Sequence, residues 1–247
     1  MKIVIVTGSS RGLGASTALE CAKRGMGVVI TYNNNPAKAA ELVKTIAGIG
    51  AKAVALKLDV ADSRSFAAFR QALSAQLDAA WGRTTFDYLV NNAGHGLYAP
   101  IADVTEEQFD DLFKVHLKGP FFLTQALLPL IEDGGHVVNV ASATSRVATA
   151  GVAPYAAFKG GLQVLTRYMA KEFDARRIRA NSISPGAIRT ELGGGLNAQF
   201  EALLAEQTAL GRVGEPDEIG GVIASLLSKE NRWINAQDIE VAGGYVI

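Results

Sequence analysis

The 247 residues carry 24 Lys plus Arg against 24 Asp plus Glu, a formal net charge of zero with His neutral, so no long-range field draws the chain to nucleic acid or to an anionic membrane. Hydrophobic residues make up 49% and charged residues 19%, which excludes a disordered chain and supplies material for one large core. The single Cys excludes an internal disulfide, and His95, His116 and His136 lie too far apart in sequence for a close metal-binding pair, so no metal site is expected.

Chain order alternates short β-branched runs with longer helical patterns. Strands are predicted over residues 2–7, 27–31, 51–58, 86–90, 136–141, 178–183 and 238–242, and helices over 12–24, 36–49, 63–79, 106–129, 154–173 and 215–228. Pro36, Pro154 and Pro216 suit first helical turns, where a missing amide proton costs nothing. Each parallel pairing needs a crossover long enough for a helix, so this alternation predicts an α/β fold: a single-domain, doubly wound Rossmann architecture with a parallel seven-stranded sheet and helices on both faces, spanning residues 1–247. The first apolar run, residues 3–6, is too short for a signal-peptide core and reads as the first strand of a cytoplasmic protein. The longest apolar stretch, 121–131, is interrupted by Thr124, Gln125 and Pro129 and falls short of a membrane span. Residues 186–212, rich in Gly and small side chains, form the one irregular insertion and are expected to be a substrate lid, with Gly193, Gly194 and Gly195 giving it backbone freedom.

The first strand runs straight into Thr7-Gly8-Ser9-Ser10-Arg11-Gly12-Leu13-Gly14, and helical spacing resumes at once. Glycines there open dihedrals closed to other residues and let backbone amides approach a pyrophosphate at the positive end of the helix dipole. Gly8, Ser10, Arg11, Gly12, Leu13 and Gly14 are therefore candidate cofactor contacts. Cys21, on the same helix, reads as a small buried apolar residue. A bare ribose hydroxyl is normally held by Asp or Glu at the end of the second strand, but Tyr32, Asn33, Asn34 and Asn35 stand there. With no carboxylate before Glu41 and a cation at Arg11, the place suits a 2′-phosphate, and NADP(H) is the predicted cofactor.

Taken together, these features resemble the short-chain dehydrogenase/reductase family. Thr7-Gly8-x-x-x-Gly12-x-Gly14 is similar to its cofactor fingerprint, Asp59-Val60 to its adenine contact and Asn91-Asn92-Ala93-Gly94 to the end of its fourth strand. Ser142, Tyr155-Ala156-Ala157-Phe158-Lys159, and Pro185-Gly186 leading to Ile188 and Thr190 follow in the family's order, and the resemblance covers essentially the whole chain. It implies cofactor contacts at Asp59, Val60, Asn91, Ala93, Gly94, Tyr155, Lys159, Pro185, Gly186, Ile188 and Thr190 in addition to the glycine turn, Tyr32, Asn33 and Asn34. It also implies a homotetramer, packed through the helices at 106–129 and 154–173.

Tyr155 and Lys159 stand four apart and share a helix face. A neighbouring ammonium favours phenolate, so the Tyr155 phenol is expected below its ordinary value of roughly 10 and able to act as acid and base. Ser142 is expected on the substrate oxygen, and Lys159 on the nicotinamide ribose. His116 departs from the family pattern, which has Asn there to hold water in a proton relay; His offers a donor and an acceptor, and is expected to substitute as a fourth catalytic residue. His95 reads as pocket wall or surface and His136 as the start of a strand. Ala242 stands where the family often has Asp, which touches only tail contacts.

The predicted pocket edge, from His95 through Tyr98 with Val147, Ala148, Val152, Leu192 and Leu196, is mainly apolar and suits a neutral small-molecule carbonyl or alcohol. A 3-oxoacyl-acyl-carrier-protein reductase is the specific alternative: Arg176, Arg177 and Arg179 favour an acidic carrier, while Glu132 and Asp133 oppose it. A nonenzymatic dinucleotide-binding sensor is the alternative of another class, disfavoured by Ser142, Tyr155 and Lys159 occurring together.

Overall fold

The computed structural model describes residues 1–192 and 194–247, so Gly193 of the expected lid lies outside the described residues. Seven strands, β1 Ile3–Val6, β2 Gly27–Tyr32, β3 Ala53–Lys57, β4 Phe86–Asn91, β5 Ile131–Val140, β6 Arg179–Pro185 and β7 Asp238–Val241, form one sheet in the order β3-β2-β1-β4-β5-β6-β7. Every pairing is parallel. Alternation decides the two faces: Val4, Val6, Val28, Ile30, Val138 and Val140 point to one core, whereas Ile3, Ile5, Val29 and Val137 point to the other.

Helices α1 Gly12–Lys23, α2 Pro36–Gly48 and α8 Pro216–Leu226 cover the first face. Gly220 of α8 has no room for a Cβ, which would lie 2.4 Å from Ser16 Oγ, so α1 and α8 touch almost backbone to backbone. On the second face lie α3 Phe66–Trp81, α5 Gly119–Leu127 and α6 Ala153–Glu172. No helix among the described residues is long and apolar enough to cross a membrane.

Three predicted elements differ in detail. Strand β5 begins at Ile131 rather than 136, because Ile131 pairs with Phe86 before a register shift in β4; His136 therefore sits inside the strand, fully buried. The helix predicted over 106–129 is divided into α4 Glu106–Phe113, a π-helical turn Lys114–Lys118 and α5. Two residues explain the division: Pro120 lacks an amide proton, and Gly119 lies so near Val60 that a Cβ would be 2.4 Å from its carbonyl oxygen. The Gly119 amide accordingly bonds back to the Lys114 carbonyl. Finally, the insertion over 186–212 contains α7 Ala198–Glu206, started by Asn197, whose side chain accepts from the Phe200 amide. Leu204 of α7 is buried with Ala143, Val213 and Tyr245, and Val147 and Leu196 pack against that cluster.

Candidate active site

Strand order reverses between β1 and β4, and the crevice at their C-terminal ends is the ligand position of an open α/β sheet. It encloses about 720 Å³, within the range of ligand pockets. The turn after β1 is shaped by packing as well as by dihedral freedom. Gly8 (φ 62°) would place a Cβ 2.8 Å from Ala93 Cα, and a Cβ on Gly14 would meet Asn92 Nδ2 at 2.5 Å. Gly12 (φ 55°) faces open crevice, with Thr190 its nearest neighbour at 3.9 Å. Thr7 ties the turn to the β4 loop: its hydroxyl oxygen accepts from the Asn92 and Ala93 amides at 2.8 and 2.9 Å, and Asn92 Nδ2 donates to the Thr7 carbonyl at 2.8 Å. The first turn of α1 carries no acidic residue and no side-chain cap, which leaves its amides for an anion. These features fit a dinucleotide.

Among the predicted cofactor residues, Ser10, Arg11, Leu13, Asn33, Asn34, Asp59, Val60, Ala93, Gly94, Pro185, Gly186, Ile188 and Thr190 line this crevice with the turn glycines. Tyr32 and Asn91 do not line it. Tyr32 packs against the core on the α1 side. The Asn91 side chain is buried, donating to Thr124 Oγ1 at 3.1 Å and Asn139 Oδ1 at 2.8 Å, so it braces β4. Sequence reasoning missed Asn92, whose buttressing is visible only once β1 and β4 are adjacent, and it missed Glu191. Cys21 is buried on α1 and burial pushes its thiol up to about 12, in keeping with an inert packing residue.

Ser142, Tyr155, Lys159 and His116 all line the same crevice. Ser142 ends the β5 loop with its Oγ accepting from Thr144 Oγ1 at 2.9 Å, and Tyr155 and Lys159 project from α6. Lys159 Nζ lies 5.6 Å from the Tyr155 ring centroid and donates to the Val140 carbonyl at 2.6 Å. Burial pulls this amine down to about 7, since low dielectric penalises the charged form. The phenol shows the opposite of the expected effect: burial raises Tyr155, and the Ser142 hydroxyl works against that rise. Desolvation is the larger effect, and the Ser142 hydroxyl offsets only part of it.

The π-helical turn brings His116 to Tyr155, ring centroids 5.0 Å apart and nearly perpendicular. Its Nε2 donates to the His95 carbonyl at 2.8 Å, which fixes Nδ1 as an unprotonated acceptor. That atom is buried without a hydrogen-bond partner among the described residues. Burial, reinforced by Lys159, holds the imidazole down to about 2, so His116 is neutral at physiological pH. His136 is remote from this chemistry, its Nδ1 accepting from Arg179 at 2.9 Å.

A phenol that opens onto a dinucleotide crevice beside a titratable amine belongs to an oxidoreductase that moves hydride and proton together. The family model described as Enoyl-(Acyl carrier protein) reductase matches residues 8–246. An uncharacterized oxidoreductase of Methylorubrum extorquens is 37% identical over 98% of this chain and 97% of its own length. The tetrahydroxynaphthalene reductase PfmaG of Pestalotiopsis fici is 32% identical over 99% and 91%. Among solved structures, the angucycline C-6 ketoreductase LanV with bound NADP superposes with a TM-score of 0.95 at 32% identity, covering 99% of this chain and 95% of that one. The chain belongs to the short-chain dehydrogenase/reductase family.

The buried amine gives a pH signature. Between about 7 and its ordinary value of 10.5, the Lys159 amine is protonated in the unfolded chain but not in the fold, so stability rises with pH through this window and the burial penalty is complete below it. Wild type should therefore gain melting temperature relative to Lys159→Met between pH 6 and pH 10. A difference between the two proteins that stays flat across that range contradicts the assignment.

Proposed function

We propose that this chain is an NADP(H)-dependent ketoreductase acting on a carbonyl of a bulky, mainly apolar compound, and on the corresponding alcohol in reverse. The observation that carries the reading is the convergence of Ser142, Tyr155 and Lys159 on the crevice that the glycine turn lines. Tetrahydroxynaphthalene, the compound for which one relative is named, is a fused aromatic ring system; of the predicted apolar edge, His95, Gly96 and Leu192 line the crevice, while Val147 and Leu196 pack into the cluster around Leu204 instead. The acyl-carrier alternative draws less support, because two of its three cations are engaged within the chain and only Arg177 stands exposed without a partner among the described residues. Arg176 bonds Asp133 at 2.8 Å and the Leu128 carbonyl at 2.7 Å, and Arg179 the Ile234 carbonyl at 2.6 Å. They also lie by the N-terminal end of β6, whereas Pro185 at its other end reaches the crevice. A nonenzymatic sensor would have no use for the Ser142, Tyr155 and Lys159 cluster.

The first-turn amides of α1 would hold the pyrophosphate, Arg11 the 2′-phosphate, Asp59 and Val60 the adenine, Lys159 the nicotinamide ribose, and Ile188 and Thr190 the carboxamide. The nicotinamide, when bound, supplies or accepts the hydride. Tyr155 donates its phenolic proton to the carbonyl oxygen, and Ser142 donates a hydrogen bond to the same oxygen. A phenol held protonated by burial is loaded for reduction; alcohol oxidation needs phenolate and gains from alkaline pH. Lys159, titrating near neutrality, passes a proton towards Tyr155. Neutral His116 takes a hydrogen bond at Nδ1 from a relay water that serves this amine.

The segment 186–212 acts as the substrate lid, pivoting about Arg189, which is paired with Glu201 and Glu215 at 2.6 and 2.9 Å. Phe109, Phe113, Phe121, Phe122 and Tyr168 leave an exposed aromatic face on α4, α5 and α6, which supports a homotetramer. We place the enzyme in the cytoplasm, with the NADPH pool it would draw on.

With NADPH and a panel of simple, fused-ring and acyl-carrier-bound ketones, turnover is expected on the fused-ring compounds. Tyr155→Phe should abolish it, by at least about a hundredfold, while NADPH affinity persists. His116→Phe should lower kcat about tenfold or more with little change in cofactor KM, and His116→Asn should recover part of the loss; equal kcat in His116→Phe and wild type removes the relay role. Preference for the acyl-carrier substrate would install the alternative. Sedimentation at micromolar concentration should give four copies, and a monomer there contradicts the assembly.

A further inference from the structure

Glu191 stands in the lid segment, yet its carboxylate reaches back across the mouth of the crevice to two cations. Oε2 lies 3.5 Å from Arg11 Nη1 in the glycine turn, and Oε1 lies 3.5 Å from Lys38 Nζ on the first turns of α2. These are the only ion pairs of Arg11 and Lys38 among the described residues. Lys38 is held in position by its backbone, since its amide donates to Asn35 Oδ1 at 3.0 Å and Asn35 itself lines the crevice. All three side chains are substantially exposed. Long, exposed pairs of this kind are weak and readily exchanged. Two residues before Glu191, Arg189 is held to Glu201 of α7 and to Glu215, the residue before α8, by shorter pairs.

We infer that Lys38 is a second cation for the 2′-phosphate of NADP(H), and that Glu191 is an internal carboxylate competing with that phosphate for Arg11 and Lys38, so that phosphate binding unlatches the lid at residue 191. The inference rests on the proposed NADP(H) reading and adds to it the residues that enforce it. A phosphate carries more charge than a carboxylate and offers three acceptor oxygens to two cations, so it displaces Glu191 where a ribose hydroxyl does not. An unphosphorylated dinucleotide would bind with the latch still closed. The competition also has a cost for the preferred cofactor: part of its attraction to Arg11 and Lys38 is spent in breaking the Glu191 pairs. Removing the carboxylate should therefore tighten binding of a 2′-phosphate, whereas removing Lys38 should weaken it.

The test is calorimetric binding at low salt of adenosine 2′-monophosphate, NADPH and NADH to wild type, Lys38→Gln, Glu191→Gln and the double variant. Adenosine 2′-monophosphate has the phosphate but no nicotinamide, so its affinity is independent of turnover. Lys38→Gln should weaken both phosphate-bearing ligands about fivefold or more and leave NADH unchanged, which a general loss of folding would not do. Glu191→Gln should tighten the same two ligands by about two- to fivefold, and this gain should shrink in the double variant. Hydrogen exchange of the 190–197 backbone should rise when adenosine 2′-monophosphate binds wild type and be already raised in Glu191→Gln. Unchanged phosphate affinity in both single variants overturns the latch even if NADPH still outbinds NADH, whereas equal NADPH and NADH affinity in wild type overturns the cofactor reading beneath it.

Discussion

A single amine buried under the end of β5 sets the terms for this site. Lys159 Nζ gives a hydrogen bond to the Val140 carbonyl at 2.6 Å, and the enclosure that orients it also pulls its charge-bearing range down to about 7. An exposed lysine in the same place would be permanently charged and mobile. Enclosed, it is fixed in direction and can change protonation near neutrality, as the proposed proton route to Tyr155 requires. The same enclosure raises Tyr155 and neutralises His116, so desolvation is the largest cause of the shift in all three titratable groups, with Ser142 and Lys159 as lesser contributors.

The fold supplies that enclosure from several directions. Val140 belongs to β5 at the centre of the sheet, α6 delivers Tyr155 and Lys159 on one face, and the π-helical turn between α4 and α5 closes the side with His116. That turn exists because Gly119 must approach Val60 and Pro120 cannot donate. An uninterrupted helix would rotate His116 to another direction. A mid-helix irregularity thus places a reactive neighbourhood, as such turns often do.

The sheet was legible in the sequence because its strands are short, β-branched runs separated by helical periodicity, and the glycine turn because it sits between a strand and a helix. The Tyr155 and Lys159 pairing followed from their spacing. What escaped was set by contacts distant in the chain. Asn91 and Tyr32 looked like cofactor residues from their positions at strand ends, but Asn91 points to Thr124 and Asn139 and Tyr32 to the core. The division of the 106–129 helix depends on Val60. Helix α7 was hidden in a Gly-rich stretch of low apolar contrast, although Asn197 was a visible cap signal. The direction of the Tyr155 shift was misread for a related reason: spacing reveals that an amine is near, not how strongly burial acts on the phenol itself.

The central claim is that Lys159 titrates near neutrality because it is enclosed. Its most direct test is an NMR titration of the cofactor-free protein carrying 13C-labelled lysine, with the Lys159 signal assigned by its loss in Lys159→Met. A single lysine Cε resonance moving with a midpoint near 7, well apart from the others, is the predicted result. A Lys159 signal that titrates with the surface lysines, near the ordinary value of 10.5, would contradict the account.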